Sequence, residues 1–155
     1  MLENIKNAGF FSMANILVIE DDAMNCKLFD LILSRMGGHK VIIAHDAENA
    51  IRCATSGVID LIIMDVSLQN WSYEGAEANG IDLTRRIRAS EKSKNIPVLL
   101  ATAHAMKEDR ENLLSESGAD DYFSKPIVDH FEFLSKVATM LSEKNLPVKV
   151  SDERY

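Results

Sequence analysis

Cysteine is scarce in this chain. Cys26 and Cys53 are the only two, without CxxC spacing, which excludes a disulfide framework and a cysteine zinc site and leaves both as small core residues. Positive charge is also short: 17 Lys and Arg stand against 24 Asp and Glu, for a formal net charge of -7. That balance argues against sequence-independent binding to nucleic acid or anionic lipid, and points to a protein or a small charged partner. No apolar run approaches the ~20 residues of a membrane span, and the leader MLENIKNAGFF lacks the basic start and long apolar segment of a signal peptide. The expected location is therefore the cytoplasm. No GxGxxG or GxxxxGK follows any apolar run, which counts against a dinucleotide or P-loop site, and no internal repeat or low-complexity tract is seen.

What is present is globular: 155 residues, 46% hydrophobic and 26% charged, enough for one domain with a real core. Five short apolar runs recur, Ile16–Ile19, Val41–Ile43, Leu61–Met64, Val98–Leu100 and a weaker Tyr122-Phe123, each too short and too rich in β-branched residues for a buried helix. The first four are apolar at consecutive positions, so both faces of a parallel sheet should be covered by helices. Helical spacing links Met24, Leu28, Leu31, Ile32 and Met36, then Ile81, Thr84 and Ile87, then Phe131, Leu134, Ala138 and Leu141, while 47–54 and 106–117 complete the set. Gly37-Gly38, Gly57 and Gly118 close helices, and Pro97 and Pro126 sit at a strand start and a helix approach. The string is (βα)5, a doubly wound α/β sheet whose ligand belongs beyond the carboxyl ends of the strands.

The strand ends carry Glu20-Asp21-Asp22, Asp65, Thr102-Ala103 and Lys125-Pro126. Each has an ordinary structural reading. Asp22 can cap the helix that follows it, Thr102 can bond backbone, and Lys125 can be a solvated amine. Together they read differently. Carboxylates packed at one place repel and resist ionisation, an arrangement that makes sense around a hard divalent cation, with Mg2+ the best fit because it leaves positions for phosphate oxygens. A carboxylate beside a metal, a hydroxyl and an amine can itself accept a phosphoryl group.

In order and spacing, Ile16-Leu17-Val18-Ile19-Glu20-Asp21-Asp22, Leu61-Ile62-Ile63-Met64-Asp65, Leu100-Ala101-Thr102-Ala103 and Tyr122-Phe123-Ser124-Lys125-Pro126 resemble the receiver domain of two-component response regulators. The resemblance spans about residues 14–142. It implies a flavodoxin-like sheet of order 2-1-3-4-5 with helices on both faces, and a receiver over 14–143 flanked by a leader at 1–13 and a tail at 144–155. Either Met13 is the natural start with a foreign leader before it, or the leader is native and docks through Ile5, Phe10 and Phe11. The resemblance further implies that Asp65 is the phosphoacceptor, and that Glu20, Asp21, Asp65 and the backbone carbonyl of Ser67 hold Mg2+. Thr102 and Lys125 would then engage the phosphoryl group, Tyr122 would switch rotamer with Thr102, and Pro126 would follow a cis bond. Ser67 and His104 would tune dephosphorylation, although His104 is equally well read as a solvated helix-start residue. His39, His45 and His130 have no ligand-like spacing and read as surface positions.

The implied partners are a sensor histidine kinase or histidine phosphotransfer protein upstream and a protein target on the face of the fourth helix, fifth strand and fifth helix, around 106–117 and 122–141. The protein would be a signalling phosphoprotein rather than an enzyme, a monomer or weak dimer acting alone or as the receiver segment of a hybrid kinase or larger regulator. A haloacid-dehalogenase-like phosphatase is the competing class, but its second aspartate would fall where Ser67 stands.

One departure from the family pattern follows Asp65. A proline four residues after the acceptor is replaced by Gln69, and the helix-opening glycine is delayed to Gly80, giving an insertion at about 69–79. Either it is a tolerated surface loop in which Trp71 and Tyr73 tuck against the domain, or Trp71, Tyr73, Glu74 and Glu77 form a lid or docking surface.

Overall fold

The computed structural model describes residues 13–103 and 107–145. His104 and Met106, the leader through residue 12 and the tail from residue 146 lie outside the described residues.

Five parallel strands form the central sheet: β1 (Asn15–Ile19), β2 (Lys40–Ala44), β3 (Leu61–Asp65), β6 (Val98–Thr102) and β7 (Asp121–Ser124). Their order is β2-β1-β3-β6-β7, the expected flavodoxin-like order once a small antiparallel hairpin, β4 (Ser72–Tyr73) and β5 (Ala76–Glu77), is set aside. The helices are α1 (Ala23–Asp30, continuing as a π-helix over Leu31–Met36), α2 (Ala47–Ala54), α3 (Gly80–Ala89), α4 (Lys107–Ser117) and α5 (His130–Asn145). Among the described residues no helix is long and apolar enough to cross a membrane.

The consecutive apolar strands explain the two cores. Successive side chains of a strand point to opposite faces. Accordingly Leu17, Ile19, Ile62, Met64, Val98 and Leu100 pack with α2 and α3 through Ala47, Ala50, Leu83 and Ile87. Ile16, Val18, Leu61, Ile63, Leu99 and Ala101 pack on the other side with Phe29 and Ile32 of α1 and Phe133 and Val137 of α5. Buried polar groups are matched, and among the described residues no buried side-chain nitrogen or oxygen lacks a hydrogen-bond partner.

Three expectations need correction. The apolar stripe of α1 does not run through Met24 and Leu31, which are 70% and 45% exposed, but through Cys26, Phe29, Ile32 and Leu33. The wider π-turn advances the helix phase, as in the Gly37 N–H to Ile32 carbonyl bond of 2.9 Å, so that the neighbours Ile32 and Leu33 both face inward. In α5 the inward face holds Phe133, Val137, Met140 and Leu141, leaving Phe131 half exposed. Asp129 caps this helix by accepting from the N–H groups of Phe131 and Glu132 at 3.0 Å. Phe133 then meets Phe29 and Phe123, with ring centroids 5.8 and 5.1 Å away. His39 is buried rather than on the surface. Its Nδ1 accepts from the Ala14 N–H at 3.3 Å, and burial lowers its pKa against a smaller opposing pull from Asp60.

Candidate functional site

The carboxyl ends of β1, β3, β6 and β7 bring the chemistry together. Glu20 follows β1 and Asp65 ends β3, both almost fully buried. Asp21 is exposed beside them, and ligand oxygens from Glu20, Asp21 and Asp65 all lie within 4.8 Å of one another. Lys125, just past β7, reaches across with its Nζ 3.0 Å from Asp65 Oδ1 and 3.3 Å from Glu20 Oε2. The cis peptide expected before Pro126 is present. Thr102 closes β6, buried, and its carbonyl accepts from the Lys125 N–H at 2.9 Å. Asp22 is the α1 cap, accepting from the Asn25 N–H at 2.9 Å.

Lys125 pairs with two of the three clustered carboxylates, Glu20 and Asp65, and the electrostatics show it. The Glu20 carboxyl is raised from 4.5 to about 7, first by burial and then by its hydrogen bond to Asp65 and the charge there, against the opposing pull of the Asp22 N–H and Lys125. Burial alone would lower Lys125, but the hydrogen bond to Asp65 and the charges of Asp65 and Glu20 outweigh it and leave the amine raised. The Cys26 thiol is raised to about 11, first by burial and then by the same acids. Its Sγ lies 3.5 Å from the Glu20 carbonyl, so it serves here as a protonated donor. Clustered hard oxygen donors, short of positive charge and with one of them exposed, fit Mg2+ through Glu20, Asp21 and Asp65.

Ser67 gives its backbone N–H to Asp65 Oδ1 at 3.1 Å; where a dehalogenase-like phosphatase would place a second carboxylate, this chain offers an amide. His104 lies outside the described residues. Tyr122 sits on β7, half-buried, with the Arg110 guanidinium 4.1 Å and the Lys136 amine 5.7 Å from its ring centre. Neither cation was singled out in the sequence, because the pairing joins α4 and α5 to a strand and follows no local spacing.

The segment 69–79 is anchored. Trp71 is 9% exposed and belongs to the core beneath α2 and α3, so the tucked arrangement holds for it. Tyr73 is half-buried under the Arg86 guanidinium, 5.3 Å from its ring centre. Glu74 pairs with Arg86 at 3.0 Å, and Glu77 is exposed. Glu74 and Gly75 form a two-residue turn with φ of 52° and 82°, the left-handed pair that matches hairpin twist. At the far end Asn79 and Asp82 make a capping box for α3. Gly80 is required there, because a Cβ would collide with the Asp65 carbonyl.

Comparison with known proteins agrees with this geometry. The chain matches the family model described as response regulator receiver domain over residues 16–143. It is 34% identical over 114 residues to the polar-differentiation response regulator DivK of Brucella ovis, covering 73% of this chain and 85% of that one. Among solved structures, a sensor histidine kinase receiver domain from Pseudomonas aeruginosa, described with a magnesium ion coordinated in its active site cleft, superposes with a TM-score of 0.71 at 31% identity, over 84% of this chain and 98% of that chain. A putative response regulator from Chloroflexus aurantiacus superposes with a TM-score of 0.72 at 27% identity, over 84% and 99%. The chain belongs to the response regulator receiver domain family of two-component signalling, whose members are signalling proteins that work between histidine kinases and downstream targets.

Proposed function

We propose that this receiver accepts a phosphoryl group on Asp65 from a phosphohistidine of a kinase or phosphotransfer protein. The observation that carries the reading is the buried Asp65 carboxylate, held by Lys125 and the Ser67 N–H inside a three-carboxylate cluster. In the transfer an Asp65 oxygen forms a bond to phosphorus, the histidine N–P bond breaks, and the imidazole leaves with the electron pair and takes up a proton. Glu20, Asp21, Asp65 and the Ser67 carbonyl would hold Mg2+, which would supply neutralising charge for the transferring group. Lys125 follows the new phosphoryl oxygens as their fixed cation, and the Thr102 hydroxyl donates to one of them.

The Thr102 movement is the event to which Tyr122 responds, since a new partner for the hydroxyl is the differential interaction that shifts a two-state equilibrium. Tyr122 links the site to α4 through Arg110 and to α5 through Lys136. The responding face is that of α4, β7 and α5, where a groove of about 370 Å³ is lined by Asp120, Asp121, Glu132 and Lys136 among others. Ser67 and His104 are expected to set phosphoryl lifetime more than uptake.

The test is incubation with Mg2+ and acetyl phosphate, followed by intact mass. A mass gain in the wild type that is lost in Asp65→Asn is expected. Equal behaviour of the two removes Asp65 from the role.

A further inference from the structure

The acid that faces solvent, Asp21, is gripped from 48 positions away in the chain. Its Oδ2 accepts the backbone N–H of Gln69 at 3.0 Å. From these contacts we propose that the Gln69 amide positions Asp21 for its cation, and that the segment from Val66 to Gly80 is the strut that carries it. The proposal rests on the reading of Glu20, Asp21 and Asp65 as a Mg2+ site.

Of the three clustered acids, Asp21 alone is exposed, so it is the one whose rotamer freedom must be given up when a cation is bound. A hydrogen bond to one carboxylate oxygen fixes that rotamer beforehand and leaves the other oxygen to ligate, which is how outer partners of metal ligands act. The donor must itself be held, and the strut holds it at both ends. On one side of the amide, the Val66 N–H donates to the Ala101 carbonyl at 3.0 Å. On the other, Trp71 is sunk in the core, and its carbonyl accepts from the Ala78 N–H at 3.0 Å. The far end returns to the site, where the Gly80 N–H donates to the Val66 carbonyl at 3.2 Å and its Cα lies against the Asp65 carbonyl. Arg86 of α3 braces the hairpin through Glu74 and Tyr73. One segment therefore touches two acids of the cluster, Asp21 through Gln69 and Asp65 through Gly80, and fixes their relative position.

The decisive group is an N–H, which every residue except proline supplies. This makes the test selective. Mg2+ alone is titrated calorimetrically into the wild type, Gln69→Ala and Gln69→Pro, with thermal melting in chelator as the folding control. Gln69→Ala keeps the donor and is expected to bind as the wild type does, whereas Gln69→Pro is expected to bind about tenfold more weakly at an unchanged melting temperature. Equal affinity of Gln69→Pro and wild type overturns the proposal, and so does an equal loss in Gln69→Ala. A wild type that takes up no Mg2+ overturns the metal reading and this one with it. Should Gln69→Pro not fold, amide exchange of Gln69 in the wild type and Asp21→Ala decides. At least tenfold faster exchange at that amide alone is expected in the variant, and unchanged exchange refutes the contact.

Discussion

Where β6 and β7 begin, the Arg88 guanidinium donates to the carbonyls of Gly118, Lys94 and Ile96 and pairs with Asp120 at 2.6 Å. Asp120 also accepts the Val98 N–H at 2.8 Å. Nearby, Asp60 accepts the Asn15 N–H and pairs with Lys144 at 3.7 Å. At this amino-terminal end of the sheet Arg88 and Asp60 each have an opposite charge as partner. At the opposite end three carboxylates cluster and a single lysine pairs with two of them, and Glu20 holds a proton up to about pH 7. The same residue types thus build a locked joint at one end and an electrically incomplete site at the other, and that incompleteness suits the cation and phosphoryl group proposed for it.

The strongest way to break this contrast is Lys125→Met, which strands two buried acids. In chelator at about pH 8 it should cost about 3–5 kcal/mol in urea denaturation, and millimolar Mg2+ should recover a large part of that. Next comes pH. Folded Glu20 releases its proton near 7 and the unfolded side chain near 4.5, so the stability it contributes is full below about 4.5 and is lost as pH rises to about 7. The size is on the order of 3 kcal/mol. It should appear as the difference between wild type and Glu20→Gln in chelator, and Mg2+ affinity of the wild type should climb over the same window. A flat difference between the two proteins counts against the buried acid pair. The smallest effect belongs to the locked end: Arg88→Met should lose about 1–2 kcal/mol, the same with and without Mg2+. A Mg2+-dependent loss there would erase the distinction between the two ends.

The sheet was legible because Ile16–Ile19, Leu61–Met64 and Val98–Leu100 are apolar on both faces, a pattern that only a covered parallel strand needs. The site was legible for a related reason: Glu20, Asp65, Thr102 and Lys125 each stop such a run, so their convergence follows from topology alone. Helix faces were harder. A stripe read at a period of 3.6 put Leu31 inward, and the π-turn at 31–36, which leaves no mark in residue identity, turned it out in favour of Leu33. The Phe131 and Phe133 pair shows the same limit, since both are apolar and only contact with Phe29 and Phe123 selects one. His39 went unrecognised because its partner is a backbone amide, that of Ala14. Gln69 escaped for the same reason, although its replacement of a proline was visible and an N–H is what that exchange adds.

The pinning of Gly80 beside Val66 also bears on how this chain can vary. The bond between these two residues closes the intervening chain into a ring with a narrow neck, and lengthening a closed loop adds little entropy cost. Residues added or removed at the Glu74-Gly75 tip change the circumference of that ring without moving the neck, so length is selectively cheap there and dear at Gln69 or Gly80. The tip is accordingly a place where the chain tolerates a graft, or where new termini can be opened, while the acids beneath keep their positions.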